Sequence, residues 1–409
     1  MLARLRRMFE INGGVFFVEG AAGGAIYFPK REKIYSVNRE GVRILRSYVR
    51  GEPLTKETDR TYLETLREEG LISDGFIPRP FDPPKDETLT LHFAWLELTE
   101  GCNLKCLHCY EGNDHRKRES ELGLQRWKEI LRELRGAGCE RIQLTGGEIC
   151  TVPFARELLV DAAGLGFREI TVFTNATLLD REWIDLFRRC GVCVRFSLYG
   201  ASPEVHDRVT ATEGSFEKTT ANVKSMLAQG ICVSPAIVIL RENQEDAENI
   251  RKFVLSLGMR YDGFDVIRCV KGGTQPVHLP TDKAALHSQY RSRPLFRVTK
   301  ERFSDALHRN TCWYGKFVVM PTGKVAPCIF ERGLLLGDLS RQSVGEILQS
   351  DALKKCWLLD FSQIEECREC EYRFACKDCR PLARACGTPF AKNPRCLYDP
   401  AEGIWKKPV

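Results

Sequence analysis

The spacing of apolar residues changes along the chain and predicts three regions. In residues 1–80, short apolar runs separated by glycine-rich turns are followed by helical spacing. The candidate strands are FFVEG, AIYFPK and IYSVN, and the candidate helices are GVRILRSYV and TYLETLREEG. This order fits a winged-helix-like module. Four prolines in FIPRPFDPPKDET cannot continue a helix or a strand, so we expect a linker at 81–90.

Residues 91–300 alternate between strand-like and helix-like segments. The candidate strands are LHFAWLELT, RIQLT, EITVFT, VCVRFSL, CVSPAIVIL and FDVIR, separated by amphipathic segments such as LQRWKEILRELRGAG. Six such units predict an α/β fold with a mostly parallel sheet, either doubly wound or a full or partial barrel. Ligands of these folds bind where the strands end. Residues 301–409 lose the alternation and predict a cysteine-rich region organised by metal.

Composition narrows the class of protein. Hydrophobic residues make up 43% and charged residues 28% of the chain, and the net charge is only +6, too diffuse to indicate nucleic acid. No segment is apolar enough to span a membrane, and the N-terminus lacks a signal peptide's apolar core. We therefore expect a cytoplasmic protein without membrane or nucleic-acid partners. Its eighteen cysteines, grouped at short spacings, then predict metal ligands rather than disulfides.

Three cysteines lie on one loop directly after the first strand of the α/β region. In GCNLKCLHCY, Cys102, Cys106 and Cys109 have the spacing C-x3-C-x2-C. They can hold three irons of a cubane and leave the fourth open. An open iron can bind the amino and carboxylate groups of S-adenosylmethionine (SAM), whose reductive cleavage releases a 5′-deoxyadenosyl radical. A structural zinc site would normally need a fourth protein ligand, so the cubane is favoured.

Residues 90–270 resemble the radical SAM superfamily in this loop and its context. The resemblance implies a partial (β/α)6 barrel of the TIM type, with SAM and a 4Fe–4S cluster as cofactors. It further implies SAM contacts for His108, for the LTGGE motif and for side chains at three later strand ends; these residues are Gly146, Gly147, Glu148, Thr174, Asn175, Ser197 and Arg208. Ile149 and Cys150 replace the proline that usually follows GGE, which leaves the role of Cys150 open.

A second cysteine pattern, at residues 310–400, resembles the SPASM domain. It reads C312-x10-G323-x4-C328, then C367-x2-C370-x5-C376-x2-C379, and then Cys386 and Cys396. The resemblance implies two auxiliary clusters of the 4Fe–4S type. One would be bound by Cys367, Cys370, Cys376 and Cys396, and the other by Cys312, Cys328 and Cys379. Because the last spacing is one residue short, Cys386 could replace Cys379 or Cys396. The extra cysteine that some members carry shortly before the first SPASM position is absent, so the set with Cys312 could leave one iron open or recruit Cys269. Structural zinc is the alternative for these cysteines.

The N-terminal module resembles the peptide-recognition element of ribosomal peptide maturation systems, where a leader peptide adds as a strand to a sheet edge. The combined resemblances imply a radical SAM oxidoreductase that abstracts hydrogen from a precursor peptide and closes a cross-link, with a cysteine thioether as first choice. They also imply an external electron donor such as flavodoxin or ferredoxin. The alternatives are carbon–carbon or carbon–oxygen cross-linking and a SPASM-type enzyme of porphyrin or cofactor synthesis. A DNA-binding iron–sulfur regulator is disfavoured because the N-terminal helices have no basic face.

Overall fold

The computed structural model describes residues 7–83, 88–110, 120–268, 276–281, 297–376 and 378–406. These residues form two compact units. The first draws on 1–88, 290–314 and 358–409, and the second on 89–289 and 315–357. Cys269, which the sequence suggests as an additional ligand, lies outside the described residues.

The first unit contains an antiparallel sheet with the strand order β4-β3-β2-β1-β5. Its strands are β1 (Met8–Asn12), β2 (Val15–Glu19), β3 (Gly24–Phe28), β4 (Lys33–Val37) and β5 (Arg79–Pro80). Helices α1 (Arg39–Val49) and α2 (Glu57–Glu68) follow β4. The sequence predicts β2 to β4 and both helices. It misses β1, whose apolar residues are interrupted by Glu10 and Asn12. It also misses β5, which pairs with β1 although it lies in the proline-rich stretch where no strand is predicted.

Both faces of this sheet are buried, because successive side chains of a strand point in opposite directions. Phe17 and Ile26 pack with residues of α1 and α2 on one face. Their neighbours Val18 and Tyr27 pack on the other face against Phe303 and against residues near the C-terminus. The N-terminal sheet and the C-terminal segment 358–406 therefore share one core.

The rest of the first unit is short and irregular. It contains α9 (Lys300–His308), α12 (Arg380–Ala385) and the hairpin β15 (Tyr398–Asp399) and β16 (Ile404–Trp405). Single 3-10 turns lie at Phe361–Gln363 and Arg373–Ala375.

The second unit contains a nine-stranded sheet with the order β11-β10-β9-β8-β7-β6-β12-β13-β14. Its first six strands in chain order are parallel: β6 (Phe93–Glu97), β7 (Arg141–Thr145), β8 (Glu169–Thr174), β9 (Cys193–Leu198), β10 (Cys232–Ile239) and β11 (Asp265–Val266). The helices between them are α3 (Leu124–Gly136), α4 (Ala155–Gly164), α5 (Arg181–Cys190), α6 (Pro203–Thr210), α7 (Ser215–Ala228) and α8 (Ala247–Ser256). The predicted α/β class and partial barrel are confirmed.

Three further strands extend this sheet beyond the predicted barrel. Strand β12 (Lys316–Val319) pairs in parallel with β6, and β13 (Lys324–Ala326) and β14 (Gly337–Asp338) follow antiparallel. Helices α10 (Val344–Gln349) and α11 (Asp351–Trp357) belong to the same unit.

The two compact units combine segments that are far apart in the chain, whereas the predicted domains are consecutive segments. Residues 315–357 join the barrel, and the N-terminal module shares a unit with 358–409 instead of standing alone. Both differences arise from pairing and packing between segments far apart in the chain, which local spacing does not encode. No helix among the described residues has the length and apolarity needed to cross a bilayer.

Candidate active site and auxiliary cysteine cavity

The loop with the first three cysteines begins directly after β6 and is held in place by backbone hydrogen bonds. The amides of Lys105 and Leu107 donate to the carbonyls of Thr210 and Val209 in α6, at 3.2 and 3.0 Å. Cys106 packs against an apolar cluster that includes Tyr199. The three predicted ligands are thus presented together where the parallel strands end, as the sequence predicts for a ligand of this fold.

The chemistry of these thiols fits a bound polynuclear iron centre. Burial raises the pKa of the Cys106 thiol, and the nearby Cys109 and Cys102 raise it further. Burial likewise raises the pKa of Cys102. Thiolates grouped in this way need positive charge beside them, which coordinated metal supplies.

The turn after β7 supports this loop through close backbone contact. Gly147 N donates to Thr99 O at 2.7 Å, and Glu148 N donates to Gly101 O at 2.8 Å. A Cβ atom on Gly147 would lie 2.2 Å from Gly101 O, and one on Gly146, whose φ is +142°, would lie 2.6 Å from Thr99 O. Both glycines of the GGE motif are therefore required by the approach of two backbones, directly before Cys102.

The Glu148 carboxylate links the turn after β7 to the end of β8. Oε1 accepts hydrogen bonds from the Thr174 hydroxyl at 2.7 Å and from Cys150 N at 3.1 Å, while Oε2 accepts from Asn175 N at 2.7 Å. Burial raises the pKa of Glu148, and these hydrogen bonds oppose the rise. Glu148 and Thr174, both predicted to contact SAM, are thus engaged with one another.

Asn175 connects β8 to the cysteine loop itself. Its side-chain Nδ2 donates to Asn103 Oδ1 at 2.9 Å and lies 3.8 Å from Cys102 Sγ, a distance typical of a weak hydrogen bond to sulfur. Leu104 N also donates to Cys102 Sγ, at 3.4 Å. These two donors oppose the rise in the pKa of Cys102 that burial causes.

An aromatic wall lies beside the loop. The His108 and Tyr199 rings meet edge to face with centroids 4.6 Å apart, and the Tyr199 hydroxyl is hydrogen-bonded to Ser197. Burial lowers the pKa of His108 to about 4, so its imidazole is neutral near pH 7. An uncharged ring suits stacking against a heteroaromatic base. Arg208 is placed differently: it is an exposed residue of α6.

Sequence reasoning missed three functional candidates in this region. Asn103 and Tyr199 lie next to recognised motifs, so their positions in CNL and SLYG could have indicated them. Glu97, at the end of β6, is fully buried; it accepts hydrogen bonds from Tyr110 at 3.1 Å and Arg332 at 2.6 Å. Arg332 follows β13 in the chain, so only the fold reveals this ion pair.

Four of the C-terminal cysteines line one cavity in the first unit: Cys367, Cys370, Cys376 and Cys396. The cavity contains about 410 Å³ of atom-free space, including its opening. Burial raises the pKa of Cys367 to about 12 and also raises that of Cys370. The remaining wall is aromatic and cationic and includes Tyr372, Arg373, Lys392, Tyr398 and Trp405.

This arrangement fits a multi-iron cluster. Within the described ranges, no three or more His, Cys, Asp or Glu side chains form a group that could hold a metal ion. The four cysteines line one cavity, and its cationic residues Arg373 and Lys392 can offset the charge of a thiolate-bound cluster.

The remaining predicted ligands lie in both units. In the first unit, Cys312 Sγ accepts a hydrogen bond from Arg380 N at 3.4 Å, and the Arg380 side chain forms a buried ion pair with Asp378. Cys379 occupies the N-cap position of α12, and its side chain makes no capping hydrogen bond there. Cys328 belongs to the second unit. Cys386 is exposed.

Comparison with known proteins identifies the two cysteine regions. The radical SAM superfamily matches residues 96–254, and the SPASM iron–sulfur cluster-binding domain matches residues 312–371. The chain therefore contains a radical SAM domain and a SPASM domain. As a radical SAM enzyme with a SPASM domain, it uses SAM and iron–sulfur clusters, auxiliary clusters included.

Curated relatives of this radical SAM enzyme include proteins of two kinds. It is 28% identical to the antilisterial bacteriocin subtilosin biosynthesis protein AlbA of Bacillus subtilis, over 75% of this chain and 68% of AlbA. It is 27% identical to the AdoMet-dependent heme synthase of Methanosarcina barkeri, over 76% of this chain and 97% of the synthase. Streptococcus suis SuiB, solved with the precursor peptide SuiA, shares the fold over 95% of this chain and 100% of that chain, with a TM-score of 0.59 and 15% identity.

When bound, SAM and the cluster supply a carbon radical that abstracts hydrogen from substrate. The chain's own contribution is to hold the cofactors in place. Cys102, Cys106 and Cys109 would hold the SAM-binding cluster, while the GGE turn and Asn175 fix the loop that carries them. His108 and Tyr199 would provide the wall against which SAM is oriented.

Proposed function

We propose that this radical SAM enzyme matures a ribosomally made precursor peptide and closes an intramolecular cross-link in it, with a cysteine thioether as first choice. The observation that carries the proposal is the N-terminal sheet, taken together with a fold match to peptide-bound SuiB that covers 95% of this chain. The relationship to AlbA, a subtilosin biosynthesis protein, agrees with it.

The leader of the precursor would bind to the N-terminal sheet. Among the described strands, β4 (Lys33–Val37) is at one edge of that sheet, and the two-residue strand β5 is at the other. A peptide can add to such an edge through main-chain hydrogen bonds, with side-chain pockets providing selectivity. Lys33 and Ser36 of β4 are exposed and would contribute to that surface.

The proposed reaction removes two hydrogens from the peptide. The 5′-deoxyadenosyl radical takes one hydrogen atom from a carbon, the cysteine thiol loses its proton, and sulfur and carbon form the new bond. One electron is then left over, and an auxiliary cluster would accept it. Both auxiliary clusters would be of the 4Fe–4S type. One would be bound by Cys367, Cys370, Cys376 and Cys396, and the other by Cys312, Cys328 and Cys379. A flavodoxin or ferredoxin would supply the electron for SAM cleavage.

Anaerobic incubation of reconstituted enzyme with SAM, a reductant and the precursor peptide encoded beside its gene tests this proposal. Mass spectrometry should show a loss of about two hydrogens per link, and fragmentation should locate a cysteine at each link. A precursor without its leader is the substrate control and should react poorly. An enzyme with Cys102, Cys106 and Cys109 replaced by Ala is the enzyme control. An unchanged peptide mass would refute the proposal.

Porphyrin chemistry is the second candidate, because the heme synthase match covers 97% of that relative. Such an enzyme would have no use for a leader-binding edge. Turnover of an iron porphyrin without any peptide, and no change in the precursor, would favour this alternative.

A further inference from the structure

The turn between β2 and β3 lies directly against the segment that carries Cys367 and Cys370. Ala21 N donates to Glu369 O at 3.0 Å, and the buried Tyr27 hydroxyl donates to Glu371 O at 2.7 Å. These bonds join the N-terminal sheet to the residues next to two proposed cluster ligands. They lie within one compact unit.

The side chain of Glu371 also packs against this turn. Its side chain is only 1% exposed, and its Oε1 accepts a hydrogen bond from the Tyr398 hydroxyl at 2.5 Å. The carboxylate lies over the β2–β3 turn so closely that a Cβ atom on Gly20 would be 2.4 Å from Oε2, and one on Gly23 would be 2.7 Å from Oε1. Gly20 and Gly23 therefore pack so closely against the Glu371 carboxylate that a side chain at either position would overlap with it.

The apolar contacts around Glu371 also join the N-terminal sheet to the residues of the four-cysteine cavity. Val18 and Tyr27 of the sheet share an apolar cluster with Tyr372 and Tyr398, and Cys370 and Cys396 pack against that cluster. Tyr372 and Tyr398 also line the four-cysteine cavity. One face of the N-terminal sheet thus supports the cavity wall through a continuous set of side chains.

We propose that Glu371 is a positioning residue that fastens the β2–β3 turn to the four-cysteine cavity, so that the N-terminal sheet and the iron–sulfur cluster held there stabilise one another. This inference rests on the proposed assignment of Cys367, Cys370, Cys376 and Cys396 to one cluster. The sheet then has a role besides peptide binding, because a structural change in the sheet alters the stability of the cluster. Linkage makes the effect reciprocal: the cluster must stabilise the turn as much as the turn stabilises the cluster.

The first arm of the test measures how the turn affects the cluster. In protein whose SAM-cluster cysteines are replaced by Ala, Gly20→Ala should speed iron loss to a chelator by about five-fold or more, which corresponds to about 1 kcal/mol. Gly13→Ala is the matched control, since it lies in the β1–β2 turn of the same sheet and an added Cβ meets nothing within 4 Å. It should lose iron at the unmodified rate. Cys396→Ala identifies the spectral contribution of the four-cysteine cluster.

A double variant separates this coupling from general destabilisation. Gly20→Ala and Glu371→Ala should each speed iron loss, and together they should do little more than either alone, because both disrupt one contact. Fully additive effects would refute the role of Glu371.

The second arm measures how the cluster affects the turn. Removing iron should speed amide hydrogen exchange at residues 20–24, where Ala21 N is bonded to Glu369 O, but not at the β1–β2 turn. Unchanged exchange at residues 20–24, or equal iron loss from Gly20→Ala and Gly13→Ala, would overturn the inference while the cluster assignment stands. Protein that takes up no iron at the four cysteines would overturn the cluster assignment itself.

Discussion

A methyl group added at Gly147 should disable SAM cleavage without unfolding the protein. The added Cβ would lie 2.2 Å from Gly101 O and 2.6 Å from Gly101 C. These are backbone atoms, so no side-chain rotation can relieve the overlap. The φ of Gly147 is not in the left-handed region, so alanine fits the local backbone and the close approach alone causes the effect.

The structure sets the size of this effect. Real Cβ atoms essentially never come within 3.0 Å of a neighbour, so Gly101 must move by at least 0.8 Å relative to Gly147. Gly101 immediately precedes Cys102, so the shift is passed to the cluster loop. A misplacement of about 1 Å at a reacting centre can reduce the rate by about 100-fold. Overpacking of this kind costs about 1–3 kcal/mol of stability, which leaves the protein folded.

The assay is 5′-deoxyadenosine formation from SAM and dithionite under anaerobic conditions, with iron content and the spectrum of the SAM-binding cluster measured in parallel. Gly164→Ala in helix α4 is the control, because its Cβ meets nothing within 4 Å. It should keep full activity and gain up to about 1 kcal/mol of stability. Wild-type cleavage by Gly147→Ala would refute the role assigned to this turn.

Three further variants test other contacts of the barrel. Asn175→Ala removes a donor to Cys102 Sγ, so the reduced cluster loses stabilisation and its potential, measured by redox titration with electron paramagnetic resonance, should fall. Arg332→Ala leaves the buried Glu97 carboxylate without its cation and should cost about 3 kcal/mol in urea unfolding, whereas Arg332→Lys should cost less. Burial lowers the pKa of His206 from 6.5 to about 4. The unfolded chain therefore takes up that proton first, and stability should fall by about 2 kcal/mol between pH 7 and pH 5.

Each of these variants has an outcome that contradicts its premise. An unchanged potential in Asn175→Ala would mean that the contact with sulfur has no electrostatic effect. A loss below about 1 kcal/mol in Arg332→Ala would show that water reaches Glu97. For His206, the Asn variant should show a weaker pH dependence than the unmodified protein. An identical dependence would assign the acid sensitivity to other groups.

Local sequence spacing determined the elements and the ligand types of this protein. Each strand of the α/β region, the cysteine loop after β6 and the GGE turn is formed by residues that are close neighbours in the chain, so each can be recognised from the sequence. The thiol spacing in GCNLKCLHCY indicates an open cubane before any folding is considered, because three ligands on one loop can reach only three irons.

Only the tertiary structure decided which distant segments share a core. The pairing of β12 with β6, the ion pair between Glu97 and Arg332 and the contact of Glu371 with the β2–β3 turn join residues more than 200 positions apart. Such contacts depend on surface complementarity between elements that are already formed. The sequence predicts an independent N-terminal module because the helices that cover one face of its sheet follow the strands directly in the chain. The residues that cover the other face lie near the C-terminus, so the local sequence does not indicate them.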